Sequence, residues 1–188
     1  VRPCFTGVKL PAYEPGASFN QVLDLLCVHA ARNEVIVDDA LDAASNGRHP
    51  LVLSKRKKHA EDLCRLLQSR GHEPILLTGE IDAKERKAIL NSLPGFEHEH
   101  RIIVATESLL GEGFDLSYLD TLLIATPISW DGSITQQAGR LHRSHEGKQR
   151  VEIFDYVDLS IPMLARMYQK RLKTYAKLGY EVFAANDN

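Results

Sequence analysis

Two hydrophobic periodicities divide the chain. Between Ser18 and Ala31, Val22, Leu23, Leu26, Cys27 and Ala30 recur at helical spacing. Asn33 can cap a second helix that turns Ile36, Val37, Ala40, Leu41 and Ala44 inward, and Gly47 supplies its stop. From Pro50 onward the pattern changes to short, nearly continuous apolar runs: Leu51–Leu53, Pro74–Leu77, Arg101–Ala105, Thr121–Ala125 and Arg150–Tyr156. Helical stretches separate them at His59–Arg70, Ala83–Leu93 and Thr135–His142, with Gly71 as a stop after the first. Strands of this kind joined by helices predict an α/β fold, a doubly wound, mostly parallel sheet covered on both faces. A last helix runs from Ile161 to about Leu178, with Ile161, Leu164, Ala165, Tyr168, Leu172 and Tyr175 on one stripe. Met163 and Met167 edge that stripe and read as core packing. Residues 1–17, with Pro3, Gly7, Pro11, Pro15 and Gly16, read as an irregular or extended lead-in. The organisation expected is therefore a lead-in over 1–17, a helical segment over 18–49 and an α/β domain over 50–188.

Composition narrows the chemistry. The 188 residues suffice for one full core, and the net charge of -2 excludes a uniformly basic nucleic-acid binder. Contact with phosphate must come from local clusters instead. Cys4, Cys27 and Cys64 are odd in number and form no CxxC pair, so a disulfide framework or zinc site is not expected and a reducing cytoplasm fits. No apolar run is long enough to span a bilayer and no signal peptide opens the chain, so no membrane partner is expected. The Pro-containing opening at Val1 suggests a fragment of something longer.

In doubly wound sheets ligands gather beyond the carboxyl ends of the strands, so the residues that follow each strand carry the functional signal. After Leu53 come Ser54, Lys55, Arg56, Lys57 and Lys58; Ser54 can cap the next helix and leave amides and four cations at the mouth. After Leu77 come Thr78 and Gly79, with Arg86 on the following helix. Thr106 and Glu107 follow the next strand, then Gly111, Gly113 and Asp115; this is not a dinucleotide fingerprint, since the third glycine is missing. After Ala125 come Thr126 and Trp130, the latter read as core, and then Gln136, Gly139, Arg140 and Arg143. Arginines three apart on a helix leave one face and can converge on a single polyanion, which their planar forks grip in two places. Four successive strand ends thus carry phosphate-seeking or polar loop residues. His98 and His100 alternate in a polar loop and read as solvent-facing, not as a metal site.

These segments together resemble the second RecA-like domain of superfamily 2 helicases and translocases. The likeness is close over residues 50–158 and loose over the two preceding helices. LVLSKRKKHAEDL resembles the family's motif IV, and LTGEIDAKERKAIL has the spacing of Gly79 and Arg86 found there. VATESLLGEGFDLSYLDTLLIATP is similar to motif V, most of all in the restriction-enzyme-like and related DNA-translocase branches. QQAGRLHR has the QxxGRxxR form of motif VI. The resemblance implies that Arg143 is an arginine finger for ATP held on a partner domain, assisted by Arg140, with Gln136 orienting the site. Gly113, Asp115 and Gly139 would lie by the nucleotide, and Ser54, Lys55, Arg56, Thr78, Gly79, Arg86 and Thr106 would line a sugar-phosphate track. The motif V loop is one residue longer than in the RNA-helicase branch, which leaves the roles of Gly111 and Gly113 open. ATP and Mg²⁺ would be held mainly by an N-terminal RecA-like domain, and DNA is favoured over RNA as the polymer.

One absence bounds this reading. No GxxxxGK followed by Ser or Thr occurs, Asp38 and Asp39 fall in a helix, and Gly147-Lys148-Gln149 lacks the upstream glycine and the hydroxyl. Without a phosphate cradle and magnesium carboxylate the chain is expected to be half an ATPase, inactive alone. The alternative is a nucleic-acid-binding module that keeps the fold without the motor. A nucleotide-cofactor enzyme would need a glycine-rich first turn, and Ser54-Lys55-Arg56 is not one.

Overall fold

In a computed structural model the chain forms a six-stranded sheet with helices on both faces. The structure describes residues 1–79, 83–93, 95, 99, 101–110, 116–128, 141–142, 145 and 148–183, with the side chains of 83, 85, 86, 90, 109 and 110 left out. The lead-in is extended over β1 (Arg2–Phe5) and joins the sheet. Helix α1 (Phe19–Cys27) opens on Ser18, whose hydroxyl accepts from the Gln21 amide while the Gln21 side chain accepts from the Ser18 amide, a reciprocal capping box. Helix α2 (Ala30–Ser45) follows. Its N-cap is His29 and not Asn33: the imidazole accepts from the Arg32 amide, and Asn33 is buried inside the helix, donating to the Cys27 carbonyl at 2.9 Å. Gly47 ends it with a φ of 72°, a left-handed backbone that glycine adopts without strain.

Strand β2 (Pro50–Ser54), α3 (Lys57–Ser69), β3 (Ile75–Leu77), α4 (Ala83–Ser92), β4 (Ile103–Thr106), β5 (Thr121–Ile124), β6 (Glu152–Val157) and α5 (Pro162–Lys177) complete the described elements, with a 3₁₀ turn over Glu107–Leu110. The strand order is β1-β6-β5-β2-β4-β3 and every pair is parallel. Alternation along the strands makes two cores. Val52, Val104, Leu123, Phe154 and Tyr156 meet Ile36, Val37 and Ala40 of α2 and Ala60, Leu63 and Leu67 of α3. On the other face Leu51, Leu53, Ile103, Ala105, Leu122, Ile124 and Ile153 meet Tyr175 of α5, with Ile89 of α4 and Leu172 of α5 beside them. A third cluster ties Val8 of the lead-in to Val22 and Leu26 of α1 and to Ile161 and Leu164 at the start of α5. All three cysteines are free thiols. Among the described residues no helix is long and apolar enough to cross a membrane, and no cluster of potential metal ligands occurs.

Candidate functional site

Strand order locates the mouth. The chain leaves β2 for β3, returns to β4 on one side of β2, then crosses to β5 on the other. The carboxyl ends of β4, β2 and β5 therefore flank the point where the winding reverses, the usual place for a ligand in such sheets. Register puts their last residues in one row: Ser54 is the partner of Thr106, Leu77 of Ala105 and Leu53 of Ile124, so Thr78 and Ala125 stand level with that pair.

The hydroxyl-bearing residues of this row are shielded from solvent. Ser54 is fully buried, and Thr78 and Thr106 are buried as well. Ser54 does not cap α3; the N-cap is Arg56, and the Ser54 hydroxyl is used within the core. It accepts from the Arg56 amide at 3.0 Å and lies 3.0 Å from His59 Nδ1, while His59 Nε2 lies 3.0 Å from Asn33 Oδ1. Asn33 donates to the Cys27 carbonyl and its oxygen accepts from His59 Nε2–H, which leaves Nδ1 as the acceptor facing a Ser54 hydroxyl that is shared with the Arg56 carbonyl at 3.1 Å. That chain needs a neutral imidazole. Burial, with Arg32 nearby, pushes the His59 pKa down to about 3.

The cations at the mouth are compensated. Lys55 Nζ lies 3.1 Å from Glu107, and its amide donates to Thr126 Oγ1 at 2.9 Å, which ties the end of β2 to those of β4 and β5. Arg56 donates to Asp24 and Asn20 of α1, both at 2.9 Å. Lys57 and Lys58 face Glu61 and Asp62 one turn on. The expected four cations at one mouth thus each have a carboxylate partner. Gly79 approaches the β4 end closely: a Cβ there would lie 2.9 Å from Ser108 Oγ, a hydroxyl that can rotate and that lies 3.2 Å from Thr106 Oγ1. The mouth therefore brings Gly79, Thr106 and Ser108 together on one side and Lys55 and Glu107 on the other. Arg86 lies within α4. Gly111, Gly113, Asp115, Trp130, Gln136, Gly139, Arg140, Arg143, His98 and His100 lie outside the described residues.

What holds the two flanks of the arginine segment is described. Ile128 and Leu141 are both buried in the core shared with α5. Arg171 of α5 donates to the Ile128 carbonyl at 3.3 Å and grips Asp155 of β6 with two bonds of 2.8 Å. Tyr175 donates to the same carboxylate at 2.9 Å. At the other flank His142 Nε2 lies 2.7 Å from the Tyr180 hydroxyl, and burial lowers the His142 pKa. From the opposite face Arg32 donates to the Ala125 carbonyl at 2.6 Å and to both oxygens of Asp158. These supports were absent from the sequence reading. Arg171 did carry a signal: it stands three residues after Tyr168 and four before Tyr175, on the buried stripe of α5.

Comparison with known proteins agrees with this architecture. Residues 31–145 match the family described as helicase conserved C-terminal domain. UvrABC system protein B of Helicobacter pylori is 30% identical over 153 residues, which cover 79% of this chain and 21% of that protein. The putative mitochondrial ATP-dependent helicase irc3 of Schizosaccharomyces pombe is 31% identical over 118 residues, 63% of this chain and 19% of that protein. The chain thus spans about a fifth of these relatives. Among solved structures, T4 UvsW superposes with a TM-score of 0.74 at 18% identity, covering 97% of this chain and 40% of that one. The C-terminal domain of the DEAD-box protein Dbp5 gives 0.66 at 15% identity over 97% of this chain and 86% of that one. The parallel sheet, its order and the matched segment agree: this chain belongs to the helicase conserved C-terminal domain family and has the RecA-like fold of the second domain of superfamily 2 helicases.

Proposed function

We propose that the chain is the C-terminal half of an ATP-driven nucleic-acid motor, a helicase or DNA translocase. The observation that carries this is the rim of the sheet. A row of strand ends at the winding reversal leads, past the buried Ile128, into the QxxGRxxR sequence, within which Leu141 is buried in the same core. In this reading Arg143 stabilises negative charge on the phosphoryl group in transfer, Arg140 supports it, and Gln136 orients the site. Gly113, Asp115 and Gly139 lie beside the nucleotide, whose ATP and Mg²⁺ are held mainly by an N-terminal RecA-like domain. Lys55, Arg56, Gly79, Arg86 and Thr106 follow one strand's sugar-phosphate backbone, with Ser54 and Thr78 shaping the loops that do so. Such contacts position the polymer without reading bases, so binding is insensitive to sequence and sensitive to salt. DNA is the favoured polymer, on the likeness of the motif V segment to the DNA-translocase branches.

The test is ATP hydrolysis by the full-length protein with and without DNA or RNA, beside its Arg143→Ala variant. We expect stimulated hydrolysis to fall by roughly 10³-fold or more, the usual contribution of an arginine finger, with nucleic-acid binding largely kept. Unchanged hydrolysis in the variant would remove Arg143 from the reaction. No hydrolysis by the folded wild type with any polynucleotide would favour a binding module that keeps the fold without the motor.

A further inference from the structure

Helix α5 carries a charge pattern that the motor reading does not use. Its sixteen residues include Arg166, Lys170, Arg171, Lys173 and Lys177 and no aspartate or glutamate, in a chain whose net charge is -2. Arg171 turns inward to Asp155, and the other four are exposed. At 100° per residue they fall within about 60° of arc and form one stripe about 16 Å long. Among the described residues none of the four makes an ion pair, whereas in α3 Lys57, Lys58 and Arg65 all face Glu61 or Asp62.

Stability does not explain the stripe. Successive members stand three or four apart, where like charges repel. A cation at Lys177 suits the carboxyl end of a helix, but Arg166 stands one turn from the amino end, where the helix dipole opposes it. A stripe that costs the isolated fold something fits a polyanion partner.

We propose that the outward face of α5 docks the phosphate backbone of double-stranded nucleic acid, as a contact separate from the strand track at the sheet's mouth. Charge complementarity supplies the attraction, and the rigid stripe spans the axial rise of about five phosphates on one strand of a duplex. The stripe offers no aromatic platform for unstacked bases, since Tyr168 and Tyr175 of α5 are both buried, and so fits a backbone whose bases are already stacked in a duplex. A membrane surface would call for apolar residues interleaved with the cations; within α5 Leu164 is buried and Leu172 packed against the core, and the exposed Leu178, Val182 and Phe183 all lie past the end of the stripe. The proposal rests on reading the chain as part of a nucleic-acid motor, and it gives that motor a hold on the duplex next to the strand it tracks.

The experiment measures binding of the full-length protein to random-sequence DNA and RNA duplexes from about 50 to about 200 mM salt. The variant R166Q/K170Q/K173Q/K177Q is compared with R65Q/R70Q/R101Q/R150Q, which removes the same charge from cations that are already paired. Thermal melting confirms that each variant is folded. The stripe variant should flatten the slope of log K against log salt by about 3.6, from four lost phosphate contacts, and leave hydrolysis without polynucleotide unchanged. The paired-cation variant should keep the wild-type slope. An unchanged slope in the stripe variant, or an equal fall in both variants, would overturn the proposal. So would binding of the wild type to phosphatidylserine vesicles with none to either duplex. Loss of hydrolysis in Arg143→Ala reports on the motor reading alone, so either idea can fail without the other.

Discussion

Two helices on opposite faces of the sheet each send one buried arginine to the same rim, and the two anchors are built to different standards. Arg171 of α5 makes a complete fork. Two parallel 2.8 Å bonds reach Asp155, a third donor reaches the Ile128 carbonyl, and Tyr175 fills the remaining side of the carboxylate. Arg32 of α2 is looser. Its Nε alone spans both oxygens of Asp158, at 3.2 and 3.3 Å, and Nη1 holds the Ala125 carbonyl. Among the described residues its Nη2 is buried with no hydrogen-bond partner. Alternation along β6 explains why each face has its own carboxylate. Asp155 shares a face with Ile153 towards α5, and Asp158 lies just past the strand, where Thr6 and Arg32 reach it. Both arginines end on carbonyls of the segment from Ala125 to Ile128, which leads to the arginine pair. A satisfied anchor fixes that segment, and an unsatisfied one leaves it a cheaper way to move.

The strongest way to break the comparison is Asp155→Ala. It strands the Arg171 charge and the Tyr175 hydroxyl in a dry site, and removing one partner of such a pair costs about 3–5 kcal/mol. Urea unfolding should show that loss, and the double variant Asp155→Leu, Arg171→Leu should recover most of it. If the double variant were as unstable as the single, the pair would not be the unit that matters. Arg32→Met strands the buried Asp158 carboxylate, which among the described residues keeps only Thr6, but it also removes a donor that was already unfavourable, so it should fall at the low end of the same range, about 3 kcal/mol. Equal losses in Asp155→Ala and Arg32→Met would show that the unfilled position on Arg32 has no energetic meaning.

Acid should separate the anchors next. The His59 pKa falls to about 3 in the folded protein against about 6.5 when unfolded, so between those values the unfolded chain binds the additional proton. Stability from this group is complete above pH 6.5 and declines as pH falls towards 3, by up to about 1.4 kcal/mol for each pH unit. His59 of α3 hands its hydrogen bond to Asn33 of α2, next to Arg32, whereas among the described residues no histidine is a partner of Arg171. Amide exchange at pH 5 should therefore rise in α2 before α5. In His59→Gln the acid limb of the stability profile should flatten.

The fold was legible because periodicity reports which side of an element is wet. Leu51 to Leu53 alternates between two cores, and Leu164, Tyr168 and Tyr175 share the inward face of α5, as their spacing predicts. Periodicity says nothing of partners. Asn33 has the chemistry of a helix cap, yet the chain enters α2 at His29, and Asn33 then serves His59 from inside the core. Ser54 likewise has a capping residue's chemistry but falls on an inward strand position, so its hydroxyl goes to His59. The cluster from Lys55 to Lys58 reads as a field of free positive charge because Asp24 and Glu107 approach only when α1 and β4 are in place. The positions of Arg32 and Asp158, 126 residues apart, carry no local mark of their pairing.

The mildest probe bears on the far flank of the arginine segment. Tyr180 follows α5 and meets His142 twice: its hydroxyl lies 2.7 Å from Nε2 and its ring packs 5.2 Å from the imidazole. Tyr180→Phe removes the hydrogen bond and keeps the ring, so unfolding free energy should change by only about 1 kcal/mol. His142 immediately precedes Arg143, so if α5 steadies the finger the same variant should lower stimulated hydrolysis by more than its stability loss accounts for. Tyr180→Ala, which removes the ring contact too, should lower it further. Hydrolysis unaffected by either variant would mean that the Arg171 side alone sets the position of the segment, and the contacts at Ile128 and at His142 would be as unequal as the two anchors.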